Sequence, residues 1–267
     1  MEPYNIANFL LLTMSSIPLS YDSATKAVYL PEDFNEPFDS TQLPVDTEKL
    51  YLGSNFFQKL SPNMFPPNLT HLFMSDYIPQ IEPGVLLSTI THIEMGINYN
   101  FELSRDILPL KLKYLKMSDK YSFEFKPDTF PQELECLVLG YNYDIPILPG
   151  TLPSSLKCME FNWNYKQLIE PGVFPEGLVD LKLGHCYNEL LTADTLPKTL
   201  ESISFGWYYS KILCDEFFPA SVRKINVFDN NNNNFAIKNI SSFENCIVKK
   251  NLGSNTHLNQ QPILPNS

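Results

Sequence analysis

Two pairs of side chains have the types and the spacing for chemistry. His71 and His92 stand 21 residues apart, and Cys136 and Cys158 stand 22 apart. Side by side, two imidazoles would begin a metal site, and two thiols would begin a disulfide. Neither set completes itself. The residue that continues the histidine series is Tyr114, so the histidines are read as solvent-facing, with no metal bound. The thiols are read as free: the five cysteines are odd in number and none forms a CxxC pair, which is the usage of a reducing compartment. Carboxylates are scattered, and no GxSxG elbow, P-loop or GxGxxG turn occurs. The sequence therefore predicts no enzyme and no cofactor.

Charge narrows the partners. The 267 residues carry 19 basic and 30 acidic side chains, a net charge of −11. An acidic chain repels nucleic-acid phosphates and anionic membrane surfaces alike. The apolar run Phe9–Met14 is too short to span a bilayer, and the residues before it lack the basic start of a secretory signal. These features predict a soluble cytoplasmic protein. On that reading the sequons at Asn68 and Asn239 are chance matches.

The two pairs gain meaning from the element that repeats around them. An apolar residue and a proline, followed by LxxLxL and often glycine, recur along the chain. Anchored on the proline position, the units start at Pro44, Pro66, Leu87, Pro109, Pro131, Pro153, Pro175, Pro197 and Pro219. Every interval is 22 residues except the one ending at Leu87, which is 21. Apolar residues recur six and eight positions after each anchor and three and sixteen after most, and an aromatic recurs at twelve, as Phe56, Tyr99, Tyr121, Tyr143, Tyr165, Tyr187 and Tyr209. Val28-Tyr29-Leu30-Pro31 extends the pattern one unit upstream.

Apolar residues at positions six and eight alternate with the period of a strand buried on one face. Proline belongs at the strand entrance because it cannot donate to a ladder. The glycine at position nine is expected to supply a turn conformation closed to other residues. No return segment has ten residues of clean 3.6 periodicity, so helices should be few and short. One unit cannot bury its apolar side alone, but stacked units can. The expected fold is a β-rich solenoid: a parallel sheet of about ten ~22-residue coils.

This register resembles the FNIP repeat family, a leucine-rich-repeat-like group found mainly in social amoebae and in giant viruses of amoebae. Its namesake phrase reads in Phe34-Asn35-Glu36-Pro37-Phe38 and in Tyr143-Asp144-Ile145-Pro146-Ile147. Its LPxxLxxLxLG phrase is similar to the stretch from Phe130 to Gly140. The resemblance implies a binding solenoid without chemistry of its own. Many viral members place an F-box ahead of the repeats; the segment before the first unit is too short for one, so none is expected.

The expected organisation is an N-terminal cap over 1–21, the array over 22–228, an Asn-rich insert and C-terminal cap over 229–252, and a disordered tail over 253–267. Positions five and seven flank the buried sixth residue and should face outward. In the N-terminal half they hold Tyr51, His71, Phe73, His92, Glu94, Tyr114 and Lys116, and exposed aromatics anchor interfaces. These seven are the expected binding residues for a protein partner. The alternatives are a passive structural repeat and a glycan-binding face.

Overall fold

A computed structural model describes residues 17–213, 215–229 and 247–252. The short strands lie in chain order across one sheet: β1 (Ser20–Asp22), β2 (Ala27–Tyr29), β3 (Lys49–Tyr51), β4 (His71–Phe73), β5 (His92–Glu94), β6 (Tyr114–Lys116), β7 (Cys136–Val138), β8 (Cys158–Glu160), β9 (Asp180–Lys182), β10 (Ser202–Phe205), β11 (Lys224–Asp229) and β12 (Ile247–Leu252). β1 pairs antiparallel with β2, and every later pairing is parallel. Strands β2 to β9 are each the fifth-to-seventh segment of one unit, β10 and β11 run on beyond it, and registered residues share a repeat position, as in Leu50 with Leu72 and Leu137 with Met159. The single-residue deletion before Leu87 is absorbed outside the strands, since His71 still registers with His92. Among the described residues the only helical segments are three-residue 3₁₀ turns at Ser40–Gln42, Pro62–Met64 and Asp215–Phe217. The fold is the expected β-solenoid.

The columns explain the repeat. Positions three, six, eight, twelve and sixteen are buried in one continuous core running the length of the array. The anchor carbonyl accepts the N–H three residues on, as Pro131 does from Leu134 at 3.1 Å, and so closes the turn into the strand. The tyrosines at twelve stack coil on coil, with centroids 6.3–6.4 Å apart from Tyr121 through Tyr209. Leu103 donates its amide to the Tyr121 hydroxyl at 3.3 Å. Burial pushes that phenol up to about 12, so it stays neutral at any physiological pH.

The glycines at position nine serve a different need from the one expected. They are not in the left-handed region. A Cβ on Gly140 would lie 1.8 Å from the Ser118 carbonyl oxygen, and one on Gly96 would lie 1.7 Å from that of Ser75. They are glycine because the backbone of the preceding coil lies against them. Positive φ occurs instead at Gly84, Gly150 and Gly172 in the Pro-Gly turns, and at Asp128 in the equivalent turn.

The capping and tail expectations fall partly outside the described residues. Ile17, Leu19 and Tyr21 pack on the first coil's core. Residues 1–16, the asparagine run at 230–234 and the tail at 253–267 are not described. β12 continues the sheet beyond the run.

Candidate interaction surface

The strand face is built by the rule that places the core. In a three-residue strand the central side chain points inward, so its two neighbours point outward. Leu50, Leu72 and Ile93 are fully buried, while Lys49, Tyr51, His71, Phe73, His92 and Glu94 flank them half-buried. Parallel register then sets like positions beside one another, and two ladders result.

The seventh-position ladder begins with three rings. Tyr29 stacks on Tyr51 at 4.4 Å, and Tyr51 on Phe73 at 3.9 Å with planes 3° apart. Tyr29, 42% exposed, is its open end; sequence reasoning aligned this residue with the repeat but did not include it in the site. Burial, and then the neighbouring Tyr29, raise the Tyr51 phenol above its ordinary value. The ladder changes chemistry after Phe73. Glu94 follows and is ion-paired with Lys116 at 3.1 Å; farther on Glu160 pairs with Lys182 at 3.0 Å. Burial pulls the Lys182 ammonium down, but the Glu160 carboxylate more than offsets it, so the net shift is upward. Beside Phe73 lies an open hollow of about 220 Å³, with Met74, Met95 and Met117 among its lining residues, together with Asp76, Glu94, Lys116 and Asp119.

The fifth-position ladder holds the histidines. His71 and His92 stack at 4.1 Å, and each ring Nδ1 lies 2.8 Å from the hydroxyl of the preceding threonine. Burial, and then the neighbouring His92, Lys49 and the opposing Glu48, leave His71 lowered to about 4. His92 is lowered chiefly by burial. Both are neutral at pH 7. Among the described residues no group of three or more His, Cys, Asp and Glu is placed to hold a metal.

Tyr114 departs from expectation. It is 6% exposed, not an outward anchor. Its ring lies 5.8 Å from that of His92 and packs on Cys136 and Val138, which form a small apolar cluster of their own on the strand face. Large and small side chains interlock there and leave the phenol little solvent. Six of the seven expected residues thus share an accessible stretch over β3–β6, and the seventh supports it from the side.

A second aromatic group went unremarked in the sequence. Tyr141, Trp163, His185 and Trp207 all occupy position ten. Tyr141 stacks on Trp163 at 5.5 Å, and His185 lies between the tryptophans at 4.4 and 5.0 Å. The signal was available, since these residues recur 22 apart. It was hidden because the same column carries Asp76, Ile97 and Asp119 earlier in the chain. Leu168, Leu190 and Ile212 form another exposed file at position fifteen.

The comparisons agree with this geometry. The profile of the family described as FNIP Repeat matches residues 34–77, 79–120, 121–162, 146–186 and 187–240. Among solved structures, the chain is similar to CroV588, described as a novel circular LRR protein structure, with 28% identity and a TM-score of 0.69. The likeness covers 76% of this chain and 29% of that one, so this chain spans under a third of its neighbour's length. No curated protein matches. Among the described residues no helix is long and apolar enough to cross a membrane. With the 22-residue register, the parallel sheet and family matches across most of its length, the chain belongs to the FNIP repeat family.

Proposed function

We propose that this protein is a non-catalytic scaffold that binds a protein partner on its strand face, with the Tyr29–Tyr51–Phe73 stack as the anchor. The observation carrying this reading is the break in the ladder at Phe73. Core columns repeat because stacking requires them, whereas the seventh column runs from aromatics to ion pairs without harm to the fold. A column released from that requirement is free to be shaped by a partner. The three rings present their edges as one rigid apolar ridge, and such aromatic groups dominate interface energetics. Glu94 and Lys116 satisfy each other, which supports reading them as rim residues, where charges contribute little affinity.

A glycan reading is weaker on this face. Sugars stack on the flat faces of aromatic rings, and here those faces are largely taken up by the neighbouring rings. The passive structural reading differs in its prediction: it expects changes in this column to alter stability but not capture.

The test uses the full chain as bait in a cell lysate, beside a Tyr29→Ser/Tyr51→Ser/Phe73→Ser variant checked for folding by circular dichroism. Loss of one specific partner, with unaltered secondary structure, is the expected outcome. Equal capture by both proteins would reject the site, and absence of specific capture would favour the passive reading.

A further inference from the structure

Halfway along the strand face, β7 and β8 place Cys136 and Cys158 directly opposite each other in parallel register. The two thiols are free, and Cys158 packs on the cluster of Tyr114, Cys136 and Val138. Neighbouring strands lie ~4.8 Å apart, inside the roughly 4.4–6.8 Å Cα separation that a disulfide accepts. Bond formation therefore needs no change of register. Cys136 is buried and Cys158 is half-exposed, so a reagent from solvent meets Cys158 first. Cys186 lies in another column, and its thiol donates to Asn164 Oδ1 at 3.8 Å.

We propose that Cys136 and Cys158 are a reversible oxidation site, closing to a disulfide that staples two adjacent coils when a small-molecule disulfide such as oxidised glutathione is in excess. The step is thiol–disulfide exchange. The Cys158 thiolate attacks one sulfur of oxidised glutathione, making a mixed disulfide and releasing one glutathione thiolate. Cys136 then gives its proton to solvent, and its sulfur attacks Cys158 Sγ and expels the second glutathione. Two protein thiols lose two hydrogens in all, and one glutathione disulfide becomes two thiols. In the reduced pair the hydrogen bond to Cys158, and then burial, hold the Cys136 thiol far above its ordinary pKa.

The staple closes a loop one repeat long, between the Glu94–Lys116 and Glu160–Lys182 ion pairs of the strand face. It limits coil separation at the middle of the array, where a stack held by nearest-neighbour contacts is free to open.

The experiment treats the full reduced chain with excess oxidised glutathione, blocks remaining thiols by alkylation, and maps cross-links by mass spectrometry. The first intramolecular link should join Cys136 to Cys158. It should raise the thermal transition by about 5–10 °C, and dithiothreitol should reverse both effects. Cys136→Ser and Cys136→Ala should each leave Cys158 as the glutathione adduct with no link and no shift, while Cys186→Ser should behave as the unaltered chain. The proposal is overturned if the unaltered chain accumulates the Cys158 adduct without closing, if Cys158 stays a free thiol, or if another pair links first.

Discussion

Gly140 and Gly150 sit ten residues apart in one coil and are glycine for opposite reasons. At Gly140 a Cβ would strike the Ser118 carbonyl, whose backbone belongs to the neighbouring coil and cannot yield alone. At Gly150 nothing lies within 4 Å, but φ is +81°. Gly140→Ala should therefore cost roughly 2–3 kcal/mol by forcing coils apart. Gly150→Ala should cost only about 1 kcal/mol, the penalty for a left-handed alanine. Chemical denaturation of the two variants checks the order; equal losses would refute the close-approach explanation. The sequence marked Gly140 as a turn former because spacing shows that a small residue is needed, not whether φ or a neighbour demands it. Tyr114 was misjudged for a related reason. Its outward direction was legible from the strand period, but its burial depends on Cys136 and Val138, one coil away.

The histidine pair makes a pH-dependent contribution. His71 is lowered to about 4 from an ordinary value near 6.5. Between those values the unfolded chain takes up a proton that the folded chain refuses. Stability should thus fall as pH drops from about 6.5 towards 4, and return above that window. Lys49 acts in the same direction and Glu48 opposes it. Replacing both rings by phenylalanine keeps the stack and removes the titration. The thermal midpoint of that variant should fall less between pH 7 and pH 5.5 than that of the unaltered chain; an equal fall would dismiss the histidines as its cause.

At the scale of the element, the family's namesake phrase acquires a mechanical meaning. Its amide or carboxylate at position thirteen accepts the backbone N–H of the next coil: Asn35 from Phe57, Asn100 from Ser122, Asp144 from Lys166 and Asn188 from Ser210, at 2.8–3.0 Å. The aromatic before it and the apolar residue at sixteen fill the core, so one short phrase sets both packing and the polar seam. Asp144 also accepts from Gln167 Nε2 at 3.1 Å. Asp144→Ala should cost roughly 1 kcal/mol, whereas Asp144→Asn, which keeps an acceptor, should recover most of it in the same denaturation assay. The core columns were legible because one residue class recurs at fixed spacing. The seam was not, because Asn and Asp also suit turns and solvent, and their partner lies 22 residues away.

Across the whole molecule, ring spacing differs from column to column. Outward-facing rings at position seven stack at 3.9–4.4 Å, while the tyrosines within lie about 6.4 Å apart. Because each coil contacts only its neighbours, removing one full unit, residues 132–153, should leave a folded chain with the same circular dichroism per residue. Removing only 132–142 should not, since it deletes β7 and leaves its return segment without a strand. One parallel strand per ~22-residue unit was legible in the sequence; the antiparallel β1 and the added β12 were not, because neither carries the spacing of the repeat.

The most direct test of the account is a footprint of the captured complex, in which oxidative labelling of side chains is compared with and without the partner. Protection concentrated at Tyr29, Tyr51 and Phe73, with the exposed file Leu168, Leu190 and Ile212 labelled equally in both states, is the predicted result. Protection at that file with the strand-face rings unchanged would contradict it.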